Sequence, residues 1–343
     1  MKRLLLAATA LTALALTPSA LADDSSATLD AGGIVLTRNA DIRMATEDLY
    51  ISPKQVKVHY TFTNDSGKDI DTIVAFPLPD VDNYELAESP IGTTTQKTPN
   101  FVNFRLMVDG KPVATTPEER AVLNGRDVTD QVTAAGLPLN IVIQDGAYDK
   151  LQKLPKALAD KLRKAGLIEG DASTGEVVHA KWKTLTRFWW KMHFPAGKTV
   201  GVDHSYTPVT GQSFFSDSEI NTPDKDYDST RIYCMDSGTK TAILKLIKSL
   251  AGKNLGNGTL LNAYRTDFII RTANNWSGPI GRFHLTIDKM RPASVMSMCW
   301  NGDLRKTGAT TFESTLTNFA PKQDIKFLVV ELPNAQTNGP GGY

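Results

Sequence analysis

The sequence predicts a mainly β protein of the α+β type, built as two β-sandwich-like parts with a helical insertion. Three observations predict it. Val56 to Phe62 alternates apolar and polar side chains, the period of a strand wetted on one face. Comparable runs bounded by turn residues recur as far as Leu332. Helical spacing is confined to a stretch at about 117–170 and to a single segment from Thr239 to Leu250.

Taken in order, the chain opens with Lys2 and Arg3 before an apolar run from Leu4 to Leu16. Ala20 and Ala22 occupy the small-residue positions of a cleavage site, so residues 1–22 read as a secretory signal peptide cut after Ala22. The run is shorter than the roughly 20 residues of a spanning helix, and nothing later approaches that length, so no membrane span is expected. No cysteine stands beside Ala22 to carry a lipid, and the expected destination is periplasmic or secreted. The formal net charge of the 343-residue chain is +1, and loss of Lys2 and Arg3 leaves it near neutral. Such a balance gives no electrostatic footprint for nucleic acid.

The expected organisation is a β-sandwich domain over 23–210, a β-rich domain with one helix over 213–332, and a disordered tail over 333–343. Ile34 to Leu36 and Asp48 to Ile51 form short strands before the hairpin Val56 to Phe76, which Pro77 and Pro79 stop because proline cannot donate to a ladder. A polar loop runs from Asp80 to Asn100. Phe101 to Val108 alternates, and Asp109 with Gly110 is a two-residue hairpin turn into Lys111 to Thr115. Pro117 to Gly125, Asp127 to Gly136 and Ala147 to Gly166 have helical composition, the last broken at Pro155 and stopped at Gly166.

Glu176 to Phe194 is the longest strand signal, with Trp182, Phe188, Trp190, Met192 and Phe194 on one parity and Trp189 on the other. Large aromatics on both parities, Phe188, Trp189 and Trp190, mark a strand covered on both faces and read as core before they read as a ligand platform. Val200 to Tyr206 follows as a strand. Thr207 to Thr230 is polar and marks the boundary between the two parts. Later strands are expected at Thr266 to Arg271, Arg282 to Ile287, Ser294 to Trp300, Thr310 to Asn318 and Ile325 to Leu332.

Several long segments together carry a family resemblance: Ala31 to Pro53, the hairpin ending at Asp80, Phe101 to Val113, Phe194 to Gly211 and Asn275 to Pro292. They resemble the bacterial family called domain of unknown function 4424, which implies export and a β-rich fold but brings no catalytic residues. Phe76 to Pro79, Asp109 with Gly110, Phe194 to Gly197 and Tyr206 are also similar to the vault and inter-alpha-trypsin β-sandwich domain. The helical insertion departs from that second pattern.

Chemistry is sparse. Cys234 and Cys299 are an even pair in an exported chain and are expected to form one disulfide. As free thiols they would stand with Met235, Met296 and Met298 as candidate soft-metal ligands of the kind that favour Cu(I). Ser237 and Lys240 open a helix one turn apart, with Lys306, Thr307 and Gly308 later, a partial match to serine hydrolases that activate serine with lysine. His59, His179, His193, His204 and His284 show no ligand spacing. The leading expectation is a non-catalytic binding or envelope interaction protein without a cofactor, whose partner is an unknown protein or envelope ligand. Its contacts would come from edge strands and the Asp80 to Asn100 loop. A Cu(I)-binding protein and a serine hydrolase are the alternatives.

Overall fold

The computed structural model describes residues 24–30, 33–85, 87, 91–92, 99–225, 227–250 and 260–333. The expected signal peptide, nearly all of the expected tail and part of the Asp80 to Asn100 loop therefore lie outside the described residues.

Hairpins build the first third. Strands β1 (Ser25–Asp30) and β2 (Gly33–Leu36) pair antiparallel, as do β3 (Ile42–Ile51) and β4 (Val56–Asn64). Ser52 closes the second turn by accepting from the Lys54 and Gln55 backbone N–H groups. In β4, Val56, Val58, Tyr60 and Phe62 are buried while Lys57 and His59 are exposed, as the alternation requires. Strand β5 (Ile70–Pro77) ends at its proline. Two-residue strands β6 (Val81–Asp82) and β7 (Ile91–Gly92) follow. Next, β8 (Arg105–Val108) and β9 (Lys111–Val113) are joined by Asp109 and Gly110, whose φ values of 48° and 73° suit a tight hairpin turn.

The first expected helix of the insertion is a strand. Residues 116–123 form β10 (Thr116–Leu123), which hairpins into β11 (Arg126–Asp127). Glu118 and Arg120 share one face of β10 and meet at 3.3 Å, while Ala121 is fully buried. The helical propensity of such residues is a weak preference that a complete backbone ladder overrides. True helices follow: α1 (Thr129–Ala134), α2 (Ala147–Gln152) and α3 (Lys156–Lys164). Pro155 is the N-cap of α3, and Gly166, at φ 74°, lies just past its end. These helices and the small ladder of β12 (Ile168–Glu169) with β13 (His179–Ala180) enclose fully buried Trp182 among Val132, Leu151 and Leu162.

The remaining elements are β14 (Lys183–Phe194), β15 (Thr199–Tyr206), β16 (Thr210–Phe215), α4 (Ser218–Asn221), α5 (Ser229–Ile232) and α6 (Ser237–Leu250). After them come β17 (Leu261–Phe268), β18 (Ile280–Asp288), β19 (Val295–Met298), β20 (Arg305–Lys306), β21 (Thr311–Phe319) and β22 (Ile325–Glu331). Besides the two-stranded β12–β13 ladder, the described residues form three larger sheets. Sheet A runs β11-β10-β14-β5-β1-β2, with β6 also on β14; sheet B runs β20-β21-β18-β3-β4-β15-β8-β9; sheet C runs β19-β22-β17-β16-β7.

The inner face of sheet B packs on both other sheets in one core. Phe62 meets Phe194 and Phe104 stacks on Phe188 toward sheet A, while Tyr264, Phe327 and Val329 of sheet C join the same cluster. The opposite face of sheet C is covered by α6 through Ile243, Ile247 and Leu250. The boundary expected between 210 and 213 falls within β16. Strands from both sides of it share sheet B, because β3 pairs in parallel with β18. At that seam β3 carries an irregularity between Met44 and Thr46, and a Cβ on Gly281 would lie 2.5 Å from the Ala45 carbonyl oxygen.

Candidate functional site

With its inner face committed to the core, sheet B presents its outer face outward, and strand register orders the side chains there. One cross-strand row reads Thr315, His284, Asp48, His59, Asp203 and Met107 from β21 to β8. Its polar members are all engaged. His284 Nδ1 lies 2.9 Å from Thr315 Oγ1, Arg282 donates to Asp48 Oδ1 at 3.0 Å, and His59 Nδ1 lies 2.8 Å from Asp203 Oδ1.

The row beside it differs. It reads Glu313, Thr286, Tyr50, Lys57, Ser205 and Arg105. Tyr50 donates its hydroxyl to Asp288 Oδ2 at 3.0 Å, and partial burial first, with that carboxylate beside it, pushes its phenol above the usual range. It therefore stays protonated and remains a donor. The Lys57 ammonium lies 6.0 Å from the centre of the Tyr50 ring. Among the described residues, neither Lys57 nor Arg105 has a carboxylate partner, and the half-buried Ser205 hydroxyl between them has no hydrogen bond to protein. Neighbouring strands stand about 4.8 Å apart, so both cationic heads can reach the space above Ser205.

That space is a hollow of about 890 Å³. Tyr50, Lys57, His59, Asp203 and Ser205 line it from the sheet, and the β8–β9 hairpin with residues 112–115 forms its wall. Met107 and its cross-strand partner Pro112 give the wall an apolar surface, with Met107 exposed. Two features hold the hairpin in place. Asp109 Oδ1 accepts from the Gly201 N–H at 2.8 Å, and Asn100 Oδ1 accepts from the Phe104 N–H at 2.6 Å. A second hollow, of about 600 Å³, lies on the outer face of sheet A between β1, β5 and β14, and its His193 is already held by Asp71 at 2.8 Å.

The residues singled out from sequence lie elsewhere. Cys234 and Cys299 are joined in a disulfide with Cα atoms 5.0 Å apart, so neither offers a thiolate. Met235 is buried in the cluster beneath α6, whereas Met296 and Met298 pack toward the main core on the other face of sheet C. The three thioethers do not converge. Among the described residues no group of three or more His, Cys, Asp or Glu side chains is placed to hold a metal.

Ser237 opens α6 beside Asp236, whose carboxylate accepts from the Thr239 N–H at 2.6 Å and is held below its usual range by that bond and the Thr239 hydroxyl. Lys306 stands on β20 at the edge of sheet B, away from the sheet that α6 covers. The structure thus does not assemble the serine, lysine and Lys306 segment around one point. Phe188 and Trp190 are core, and Trp189 faces outward against Ala27, Ile34 and Ala75.

His204 is fully buried. The rings of Tyr60, Phe76, Phe104 and Trp190 surround it at centroid distances of 5.1 to 5.4 Å, with Asp24 Oδ1 at 3.4 Å from Nε2. The backbone of Asp24 is fixed by the Trp276 indole N–H, which donates to its carbonyl at 2.6 Å. Sequence reasoning placed His204 on the core parity and missed the row on sheet B. Its only signal there was the polar parity of Lys57 and His59.

Among the described residues no helix is long and apolar enough to cross a membrane. A family model described as "Domain of unknown function (DUF4424)" matches residues 22–328. No curated protein matches the chain. Among solved structures, the chain is similar to one from Legionella pneumophila subsp. pneumophila described as a "putative nutrient binding protein", at 14% identity and a TM-score of 0.43. The similarity covers 85% of this chain and 68% of that one. So low a TM-score carries no argument about what this chain binds.

Proposed function

The chain belongs to the DUF4424 family, whose description assigns no activity, and from that premise we propose that it is an exported, non-catalytic binding protein whose ligand seat is the hollow on sheet B. One observation carries this reading. Among the described residues, Lys57, Ser205 and Arg105 stand side by side at the floor of a hollow with no carboxylate or hydrogen-bond partner, next to a row whose polar groups are all paired. A sheet face that serves only to meet water needs no hollow with an apolar wall, whereas a ligand site is a concavity of about 300–1,000 Å³ with a few convergent polar groups. The disulfide supports export, since such bonds persist in oxidising compartments.

Methyl NMR tests the seat. Titration with pools of small anionic, neutral and cationic molecules is expected to shift the Met107 methyl signal for at least one pool and to leave Met44, in the core, unmoved. Replacing Ser205 with tryptophan to fill the hollow is expected to abolish the shift. A Met107 signal indifferent to every pool would remove the hollow as a binding site. Mass analysis of the protein from the periplasmic fraction tests export, with Asp23 expected as its first residue.

A further inference from the structure

Resting on that reading, we infer that the hollow takes an organic oxyanion with an apolar body, its anionic head held above Ser205 by Arg105 and Lys57 and its body laid against Met107 and Pro112. The register sets the geometry. Ser205 pairs with Lys57 on one side and with Arg105 on the other, so its side chain stands between two cationic ones on the same face. An oxyanion there accepts from three kinds of donor at once. The guanidinium offers the planar fork that matches two oxygens of a carboxylate or phosphate, and Lys57 supplies a point charge. Charge-assisted hydrogen bonds of this kind are about twice as strong as neutral ones.

The surroundings define the rest of the ligand. His59 and Asp203 hydrogen-bond each other at 2.8 Å, and Arg282 holds Asp48 at 3.0 Å, so both carboxylates at the hollow already have a partner. Beyond the head, the apolar wall formed by Met107 and Pro112 has no charge to offer. A bare inorganic anion would leave that wall wet, and a neutral ligand would leave two cations unmatched. An amphipathic acid satisfies both halves.

The test uses the full mature chain and five probes: octanoate, octyl phosphate, acetate, octylamine and octyl glucoside, each followed by the Met107 methyl signal. Octanoate or octyl phosphate is expected to bind at least tenfold more tightly than acetate, octylamine or octyl glucoside. Whichever of the two binds more tightly identifies the head as carboxylate or phosphate. Arg105→Ala and Lys57→Ala are each expected to weaken that binding at least tenfold, and Arg105→Lys to recover only part of it. Both side chains are exposed, so unchanged thermal unfolding of the variants is the expected control.

Binding of octyl glucoside or octylamine at the hollow, unaffected by either alanine variant, would overturn the oxyanion and leave the seat standing. Binding of acetate as tight as that of octanoate would overturn the apolar body. Silence at Met107 from all five probes would overturn this inference, and silence from every pool would overturn the seat with it.

Discussion

At the scale of single residues, His204 shows burial setting a charge state. Enclosure by four rings pushes its imidazole down from 6.5 to about 3. The Asp24 carboxylate at 3.4 Å favours the charged form, but two ions without water cost more than their attraction returns, so desolvation wins. In the unfolded chain the same imidazole takes up its proton near 6.5. Between 6.5 and about 3 the unfolded state therefore binds more protons, and stability falls as pH falls, by up to about 1.4 kcal/mol per unit. Urea unfolding at pH 7 and pH 5 checks this. The wild-type chain is expected to lose about 2 kcal/mol more over that interval than His204→Phe, which keeps a ring but cannot titrate. Equal losses would mean that His204 titrates alike in both states.

At the scale of elements, two joints hold what the strands alone do not. The first is the parallel seam of β3 and β18, where Gly281 faces the Ala45 carbonyl and has no space for a Cβ. Gly281→Ala is expected to cost about 2 kcal/mol in urea denaturation, because the strand must move away from the irregularity to seat one methyl. An unchanged midpoint would show that the seam yields freely. The second joint is the disulfide, which ties Cys234, two residues past α5, to Cys299, the residue after β19, and so fixes the helical layer to sheet C. Closing 65 positions is worth up to about 4 kcal/mol on the loop-entropy model, so the Cys234→Ser, Cys299→Ser double variant is expected to lose roughly 2–4 kcal/mol. The same stability in oxidised wild type and double variant would make the bond dispensable. Strands such as β4 and β14 were legible from alternation, and the disulfide from the count of cysteines. The strand β10 was not. Its Glu118 and Arg120 suit a helix locally, and only the ladder to β14, some 70 residues on, decides otherwise.

At the scale of the molecule, the same limit explains why the candidate site was hidden. Lys57, Arg105 and Ser205 are far apart in the chain, and nothing in their neighbourhoods says that β15 lies between β4 and β8. Alternation tells which face each residue takes; register tells which residues stand together, and register is a long-range property. The same pairing bears on how the molecule holds together. Sheet B takes β3, β4, β15, β8 and β9 from before β16 and β18, β20 and β21 from after it, and sheet C completes the cover of their common core. A fragment of residues 23–210 would expose the inner side of β3, including Ile42, Leu49 and Ile51, and the aromatic face of Phe62 where Trp276 packs at 4.8 Å. It would also leave Asp24 without the Trp276 indole that fixes its carbonyl. Such a fragment is expected to show no cooperative urea transition and no near-ultraviolet dichroism, whereas the full chain should unfold with tryptophan fluorescence and helical dichroism changing together. If the fragment unfolded cooperatively by itself, the residues on either side of β16 would be two independent domains, and the parallel seam would be a contact between them.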